Sequence, residues 1–551
     1  MPPRPLAARA TGRAARRHSP ILTRSLGCAL ALLAQFVGAS AASGQGTPAA
    51  ARFDVIVRGG RVLDGSGNPW LRADVGIRGD RVAAVGDLHG ATAATVLDAT
   101  GLYVAPGFID THSHAGPSLA TAALAGARQL LVQGLTTVFV NPDGGGRADL
   151  AAQRQALAAN GLGLNVGLMV PHGAVRQAVL GMADRAPTPD ELRRMEAMVQ
   201  QGMEAGAFAL SSGPFYAPGS YSKTDELVAL AKVAARYGAP YQSHIRDESD
   251  YTIGLLAAVE EVITVARDAG TRGVVTHVKA LGPNVWGFSG AIVQRVERAR
   301  AQGVEVFADQ YPYEASSTGL GAALLPRWAQ AGGRDSLLAR FADAATRARI
   351  VAEMRENLAR RGGAARIRFA RYAADSTIEG RTLAQVTTAR GGDTVDVALA
   401  LLTKGDASIV SFNMLDEDIE RLMRQPWTMT SSDGDLVPIG RGVPHPRGNG
   451  AFARRLRRYV VDEPVTDLAA AVRSMTSLPA SVYNLKDRGT LRPGAIADVV
   501  VFDLARVRDR ATYENPHQLA EGMVHVLVNG KLAVKDGAQT DVRAGQVLRR
   551  E

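Results

Sequence analysis

Hydrophobic and polar positions follow two rhythms along this chain. Over residues 52–104 they alternate with period two, as in Asp74-Val75-Gly76-Ile77, and are punctuated by glycine and Asn-Pro turns. Such alternation predicts the short strands of a small antiparallel sheet. The texture returns at 497–502, 525–529 and 531–534. One β-sandwich is therefore expected from both ends of the chain, over 52–104 and 488–540. Between them, short apolar runs alternate with segments rich in Ala, Arg and Leu, the rhythm of parallel strands joined by helices. The runs fall at 104–110, 135–140, 164–170, 207–210, 240–243, 273–276, 304–308 and 428–430. Eight such runs predict an α/β fold of TIM type, a (β/α)8 barrel over 105–487 with an insertion of about 324–426 between strands seven and eight.

Composition narrows the classes. With 551 residues, 46% of them hydrophobic and 21% charged, the chain can bury a sizeable core, which excludes disordered, collagen-like and coiled-coil proteins. The net charge of +10 owes six units to arginines within residues 1–50, where no acid occurs. The remaining basic residues are dispersed among acids, so no nucleic-acid partner is expected. The same first residues carry an Arg-rich start, an apolar run at 26–37 and the small residues Ala39-Ser40-Ala41. This pattern predicts a signal peptide over 1–41, and hence a periplasmic or secreted protein with no stable membrane anchor. The single cysteine, Cys28, lies inside that segment. The mature chain then holds no thiol, and disulfide, CxxC and cysteine-nucleophile chemistries are excluded. A GxSxG elbow is absent as well.

Polar residues cluster where the predicted strands end, the face on which barrels of this kind carry their chemistry. Strand one runs into Asp110-Thr111-His112-Ser113-His114, strand two into Asn141-Pro142-Asp143, and strand three into His172. Strands five and six reach His244 and His277, and strand eight reaches Ser431-Ser432-Asp433. Alternate residues of a strand face one side, so His112 and His114 can grip one ion. Four imidazoles with two carboxylates at one barrel mouth predict a divalent-metal site built from His112, His114, Asp143, His244, His277 and Asp433. Asp143 has a second reading, as the cap of the Gly144-Gly145-Gly146 turn. His172 reads either as a core residue or as part of the cavity. His445 is expected to line the pocket without binding metal.

These motifs resemble the amidohydrolase superfamily and, within it, the D-aminoacylase (N-acyl-D-amino-acid deacylase) family. The resemblance covers about residues 53–529. It is carried by Ala105-Pro106-Gly107-Phe108-Ile109-Asp110-Thr111-His112-Ser113-His114, Ser243-His244-Ile245-Arg246-Asp247-Glu248, Thr276-His277-Val278-Lys279, Tyr311-Pro312-Tyr313-Glu314, Ser431-Ser432-Asp433-Gly434 and His445-Pro446-Arg447. It implies metal-dependent hydrolysis of the amide bond of N-acyl-D-amino acids, giving a carboxylate and a free D-amino acid. By the same resemblance, His244 and His277 hold a tight zinc, His112 and His114 serve a second, weaker position, and Asp433 is both ligand and proton shuttle. Lys279, Arg447 and one of Tyr311 and Tyr313 would cradle the small-molecule substrate's carboxylate. From position alone, and not from the resemblance, His172 is expected to line the cavity on the substrate side and the insertion to form a lid.

The chain departs from the family at one position. Where relatives place a cysteine ligand after strand two, this sequence has Asp143, and strand four ends in Leu210-Ser211-Ser212 without a lysine that could bridge metals. A carboxylate is a harder ligand than a thiolate, which widens the metal choice from zinc toward manganese or cobalt. The competing readings are another amidohydrolase, either a D-configured dipeptidase or a cyclic amide hydrolase, and more remotely a non-catalytic binding protein on the same barrel.

Overall fold

The computed structural model describes residues 52–550; the expected signal peptide lies outside them. Strand β1 (Arg52–Val62) is flanked by β2 (Leu71–Arg78), which pairs in turn with β3 (Arg81–Gly86). On its other side β1 changes partner midway. Its first half runs parallel to β4 (Thr92–Asp98) and its last residues parallel to β5 (Tyr103–Pro106). The change coincides with a bulge between Val57 and Gly60. Gly59 there has φ +72° and donates its N–H to Asp74 Oδ1 at 2.7 Å, a backbone conformation that favours glycine.

The first predicted barrel strand, 104–110, proves to be two strands in two sheets. β5 belongs to the sheet of the chain ends, whereas β6 (Phe108–Asp110) pairs parallel with β7 (Leu135–Val140). Gly107 is the crossing point. Its N–H bonds to Asp498 O at 2.8 Å, while the next N–H, of Phe108, bonds to Gly134 O at 2.9 Å. A Cβ at Gly107 would lie 2.2 Å from Thr136 Oγ1, so no side chain fits.

β7 pairs with β8 (Asn165–Leu168), completing one parallel arc. A second parallel arc begins at β9 (Val170–Pro171) and runs through β10 (Leu210–Ser212), β11 (Tyr241–Ser243), β12 (Gly273–Val275) and β13 (Val306–Gln310). The predicted third strand, 164–170, is therefore broken at Met169. That residue's N–H still bonds to Val140 O, whereas the N–H of Val170 goes to Ala209 O on the other side. The predicted strand 207–210 shifts to 210–212, and 304–308 shifts to 306–310, which brings Asp309 onto the strand.

Between β13 and the last strand of the arc, a separate body forms. β14 (Ala315–Gly319), β15 (Ile367–Arg371) and β16 (Ser408–Phe412) make an antiparallel sheet whose core includes Leu320, Ile350, Phe369, Leu401 and Ile409. It spans 315–412, displaced from the expected 324–426, because the helix Asp416–Met423 packs instead on the helix Ser289–Ala301 outside the parallel strands. β17 (Thr428–Thr430) then joins β13. It also meets the first arc: Asp433 N–H bonds to His112 O at 2.8 Å, and Ser113 bridges Gly434 in parallel. Each strand of the two arcs except β13 is buried along its whole length, as a sheet covered by helices on its outside requires. The helix Pro189–Glu204 illustrates that layer. A Thr188–Glu191 capping box opens it, and Met195, Val199, Gly202 and Met203 form its buried stripe.

The chain returns to the first sheet with β18 (Val499–Phe502), β19 (Met523–Val528), β20 (Lys531–Lys535) and β21 (Ala538–Gln539). The chain ends thus share one continuous nine-stranded mixed sheet rather than the expected antiparallel sandwich. Its parallel pairs arise because β1 takes β4 and β5 on one side. A buried polar network ties this sheet to the parallel strands. Asn529 donates to Asn165 Oδ1 on β8 at 2.8 Å, and Asp498 is held by Arg488 and by the Asn529 N–H. Among the described residues no helix is long and apolar enough to cross a membrane.

Candidate metal centre

Parallel strands point their C-terminal ends the same way, so residues far apart in sequence arrive at one mouth. His112 and His114 follow β6, Asp143 follows β7, His244 follows β11, His277 follows β12 and Asp433 follows β17. Asp143 stands at the middle of them. Its Oδ1 lies 3.2 Å from His112 Nε2, 3.3 Å from His277 Nε2 and 3.7 Å from His244 Nδ1, and its Oδ2 lies 3.3 Å from His114 Nε2. Asp433 Oδ1 is 3.1 Å from His114 Nε2 and 3.5 Å from His112 Nε2. Two potential ligand sets result, with donor atoms within 4.8 Å of one another: His112, His114, Asp143 and Asp433, and Asp143, His244 and His277. Asp143 is common to both.

The donor set suits a divalent cation. His112 Nε2, His244 Nδ1 and Asp143 Oδ1 are buried and make no hydrogen bond, although they crowd together. Donor atoms converging without bonding to one another are what a shared cation requires, and imidazoles with carboxylates match zinc and its neighbours. Asp143 does not cap the glycine turn. Ser211 Oγ accepts the Gly144 N–H at 2.9 Å, and Gly145 N–H bonds to Pro142 O. Asp143, His277 and Asp433 all adopt left-handed backbone, with φ of 56°, 34° and 48°. Such strain is held by the surroundings of a site.

Those surroundings include carboxylates to which sequence reasoning gave no role. Asp309 Oδ1 accepts the His277 N–H at 2.9 Å and the Ser431 hydroxyl at 2.7 Å. Asp110 Oδ1 accepts the N–H groups of His112 at 3.1 Å and Ser432 at 3.0 Å. Burial pushes the Asp110 carboxyl up to about 6, against the pull of these hydrogen bonds. Glu248 Oε1 lies 3.1 Å from His277 Nδ1, and Oε2 lies 3.7 Å from His244 Nε2. A carboxylate on the far nitrogen of a ligating imidazole orients the ring and raises its basicity. The four-residue spacing from His244 to Glu248 was the available signal.

The electrostatics agree with a cation-seeking cluster. Burial opposes ionisation of Asp143, yet the His112 and His277 imidazoles hold it well below the usual carboxylate range. Burial likewise opposes ionisation of Asp433, but the Arg447 guanidinium and His277 hold it far down. Burial and Lys279 work against protonation of His277, but Asp433, Asp143 and Glu248 raise it to about 9. His244, governed mainly by burial, is pushed down.

The site opens into a cavity of about 810 Å³. Lys279, Tyr311 and Arg447 stand in its wall. Lys279 pairs with Glu248 and lies 2.7 Å from His277 Nδ1, and its Nζ is 5.6 Å from the Tyr311 ring. The Arg447 guanidinium lies 4.7 Å from the same Tyr311 ring. Its Nη1 is 2.7 Å from Asp433 Oδ2, a charge contact without hydrogen-bond angles. The two tyrosines part company. Tyr313 is buried outside the cavity lining, against His445 and over Arg454. Its N–H bonds to Tyr311 O, a tight turn that breaks the period-two alternation and sends the rings apart. His445 also lies outside the lining. Its Nε2 contacts Ala315 O, and its Nδ1 accepts the Arg447 N–H at 3.0 Å, fixing the turn that presents Arg447.

His172 is the clearest correction. It opens the helix His172–Leu180, is fully buried, and is not among the residues lining the cavity. Its Nε2 lies 2.8 Å from Glu226 Oε1, and Glu226 also pairs with the buried Arg176. This is a structural ion cluster. Burial opposes ionisation of Glu226, but His172 and Arg176 lower it below its usual 4.5. The cluster's stabilisation is therefore complete above that value and is lost as pH falls through the folded-state pKa. Glu226→Gln is expected to lower unfolding stability at pH 7 by about 3–5 kcal/mol in urea titrations, since it strands the buried Arg176 guanidinium. The gap to the wild type should narrow below about pH 4.

Comparison with known proteins completes the description. A model described as the amidohydrolase family matches residues 95–534. N-acyl-D-glutamate deacylase of Alcaligenes xylosoxydans xylosoxydans is 38% identical over 522 residues, covering 91% of this chain and 97% of the relative. D-aminoacylase of the same organism is 33% identical over 521 residues, covering 90% and 98%. Among solved structures, N-acyl-D-glutamate deacylase from Bordetella bronchiseptica, complexed with zinc and a phosphonate inhibitor, aligns with a TM-score of 0.77 at 36% identity. That alignment covers 90% of this chain and 100% of the other.

Proposed function

The chain belongs to the amidohydrolase family, in its D-aminoacylase branch, and from that premise we propose that it hydrolyses N-acyl-D-amino acids to a carboxylate and a free D-amino acid. One observation carries the reading: a single carboxylate, Asp143, touches four imidazoles beside Asp433, in a cavity whose wall includes the cations Lys279 and Arg447. His244, His277 and Asp143 would hold a tight zinc, and His112, His114, Asp143 and Asp433 a second, weaker ion, with manganese or cobalt as substitutes. A divalent cation held there supplies Lewis acidity, polarising the scissile carbonyl and making water a stronger acid.

The chain's own residues do the rest. Asp433 accepts the proton of the attacking water and hands it to the departing amine. Lys279 and Arg447 bind the substrate's α-carboxylate, with the Tyr311 hydroxyl, which is buried and has no protein partner, as a further donor. Glu248 keeps the His277 ring oriented and fixes the Lys279 ammonium. We read the two parallel arcs as one (β/α)8 barrel, the body at 315–412 as its lid, and residues 1–41 as an export signal to the periplasm or beyond.

The test is a panel of N-acetyl-D-, N-acetyl-L-, dipeptide and cyclic amide substrates, assayed before and after chelation. N-acetyl-D-amino acids are expected to react, activity to fall at least about 10²-fold on chelation, and zinc, manganese or cobalt to restore it. Turnover confined to cyclic amides, or undiminished activity in metal-free protein, would overturn the proposal.

A further inference from the structure

Asp143 reaches the middle of the cluster because the chain turns sharply after β7. Asn141 and Asp143 are both left-handed, at φ 68° and 56°, and Gly144 follows at φ 68°. Residues with a side chain rarely take that conformation, although asparagine and aspartate tolerate it better than most. The turn must therefore be held by its neighbours. One hold is the turn after β10, where a Cβ on Gly213 would lie 2.1 Å from Asp143 O. That close approach packs the Asp143 backbone but does not grip its side chain.

The other hold is a pair of amides. Asn141 Nδ2 donates to Gln153 Oε1 at 2.8 Å, and Gln153 Nε2 donates back to Asn141 Oδ1 at 2.8 Å. Asn141 Nδ2 also donates to Met169 O at 3.0 Å, at the residue where the third strand breaks. Both amides border the cavity, yet they are 6% and 7% exposed and occupied with each other. The glycine turn closes over them, since a Cβ at Gly146 would lie 2.5 Å from Asn141 Oδ1.

Gln153 stands on the helix Leu150–Ala158, which is anchored separately. Asp149 caps its start, accepting the Ala152 N–H at 2.9 Å. Arg154, the next residue after Gln153, donates through Nη1 to Val547 O at 2.7 Å and through Nη2 to Ala205 O at 3.1 Å. Val547 lies in a segment that runs beside β8. There Val166 N–H bonds to Gln546 O and Leu548 N–H to Val166 O, each at 2.8 Å. Consecutive residues of one helix thus grip that segment and the turn that carries Asp143. A metal ligand keeps its place when the groups behind it are themselves locked by hydrogen bonds.

Resting on the metal-centre reading above, we propose that Gln153 and Asn141 are positioning residues, whose amide bridge sets the Asp143 carboxylate at the point where the two ligand sets meet. Neither side chain touches substrate or cation. Their effect passes entirely through Asp143, which gives the proposal a signature that a purely structural role lacks.

The test is cation affinity of the chelator-stripped full chain, with zinc or cobalt(II) alone as the probe in competition with a chromophoric chelator. Gln153→Met removes one end of the bridge. Asn141→Gly removes the other and keeps the left-handed backbone accessible, so it decides the matter if Gln153→Met does not fold. Each should weaken both cations by about 10- to 100-fold and alter the visible spectrum of bound cobalt. In the Asp143→Ala background, titrated over a higher cation range, neither should weaken binding further than about 2-fold. Unchanged affinity, a loss in only one of two folded variants, or an equal loss without Asp143 overturns the inference and leaves the deacylase reading standing. The expected losses without turnover of any N-acyl-D-amino acid by the wild type do the reverse. A wild type that binds neither cation overturns both.

Discussion

Asp433→Asn is expected to lower kcat by about 10⁴-fold, the upper end of what a positioned proton-transfer group contributes. Asparagine keeps the size of the side chain and an oxygen toward His114, but it takes no proton at any working pH. Substrate binding should change far less, since Lys279 and Tyr311 make no contact with Asp433 and Arg447, freed of its charge contact with Asp433, keeps its guanidinium in the cavity wall. The set formed by Asp143, His244 and His277 does not include Asp433, so the tight ion should remain. Kinetics paired with metal analysis would separate the roles. A variant retaining a tenth of the wild-type kcat would show that another group moves the proton.

Asp143→Ala should cost about 10³-fold in kcat/KM, the several kcal/mol of charge stabilisation that a bound cation contributes. The larger effect should be on metal content. Asp143 is the member shared by both ligand sets, and its removal leaves His244 and His277 with no anionic ligand in their set and His112 and His114 with Asp433 alone. Purified Asp143→Ala is expected to lose both ions on dialysis. Asp143→Cys places a thiolate at the same point and should recover zinc and activity while binding manganese more weakly, because sulfur is the softer donor. Full metal occupancy in Asp143→Ala would reduce Asp143 to a bystander.

The chemistry of the site was more legible than its support. His112 and His114 could be paired from their spacing alone, and Asp143, His244, His277 and Asp433 from their position at strand ends. The Glu248 carboxylate was in a quoted motif but carried no role, because its partners, His277 and Lys279, lie 29 and 31 residues away and meet it only across neighbouring strands. Arg361 gave no signal at all. Arginine is common in this chain, and only its place in the cavity wall, buried without a partner, distinguishes this one. His172 failed for the opposite reason: it stands after a strand like the other histidines, but it opens a helix that turns it onto Glu226.

Local periodicity and strand-end placement sufficed to determine the alternation of strands and helices, the ends that share a sheet, and the six residues gathered at one mouth. Those properties depend on side-chain direction along a strand and on parallel strands pointing one way, both written in short stretches of chain. Tertiary structure alone decided that β5 and β6 part at Gly107, that the third strand breaks at Met169, that Tyr311 rather than Tyr313 faces the cavity, and that one arginine of the inserted body enters it unpaired. Each of these turns on which distant groups compete for the same space or the same hydrogen bond, and that competition exists only once the chain has folded.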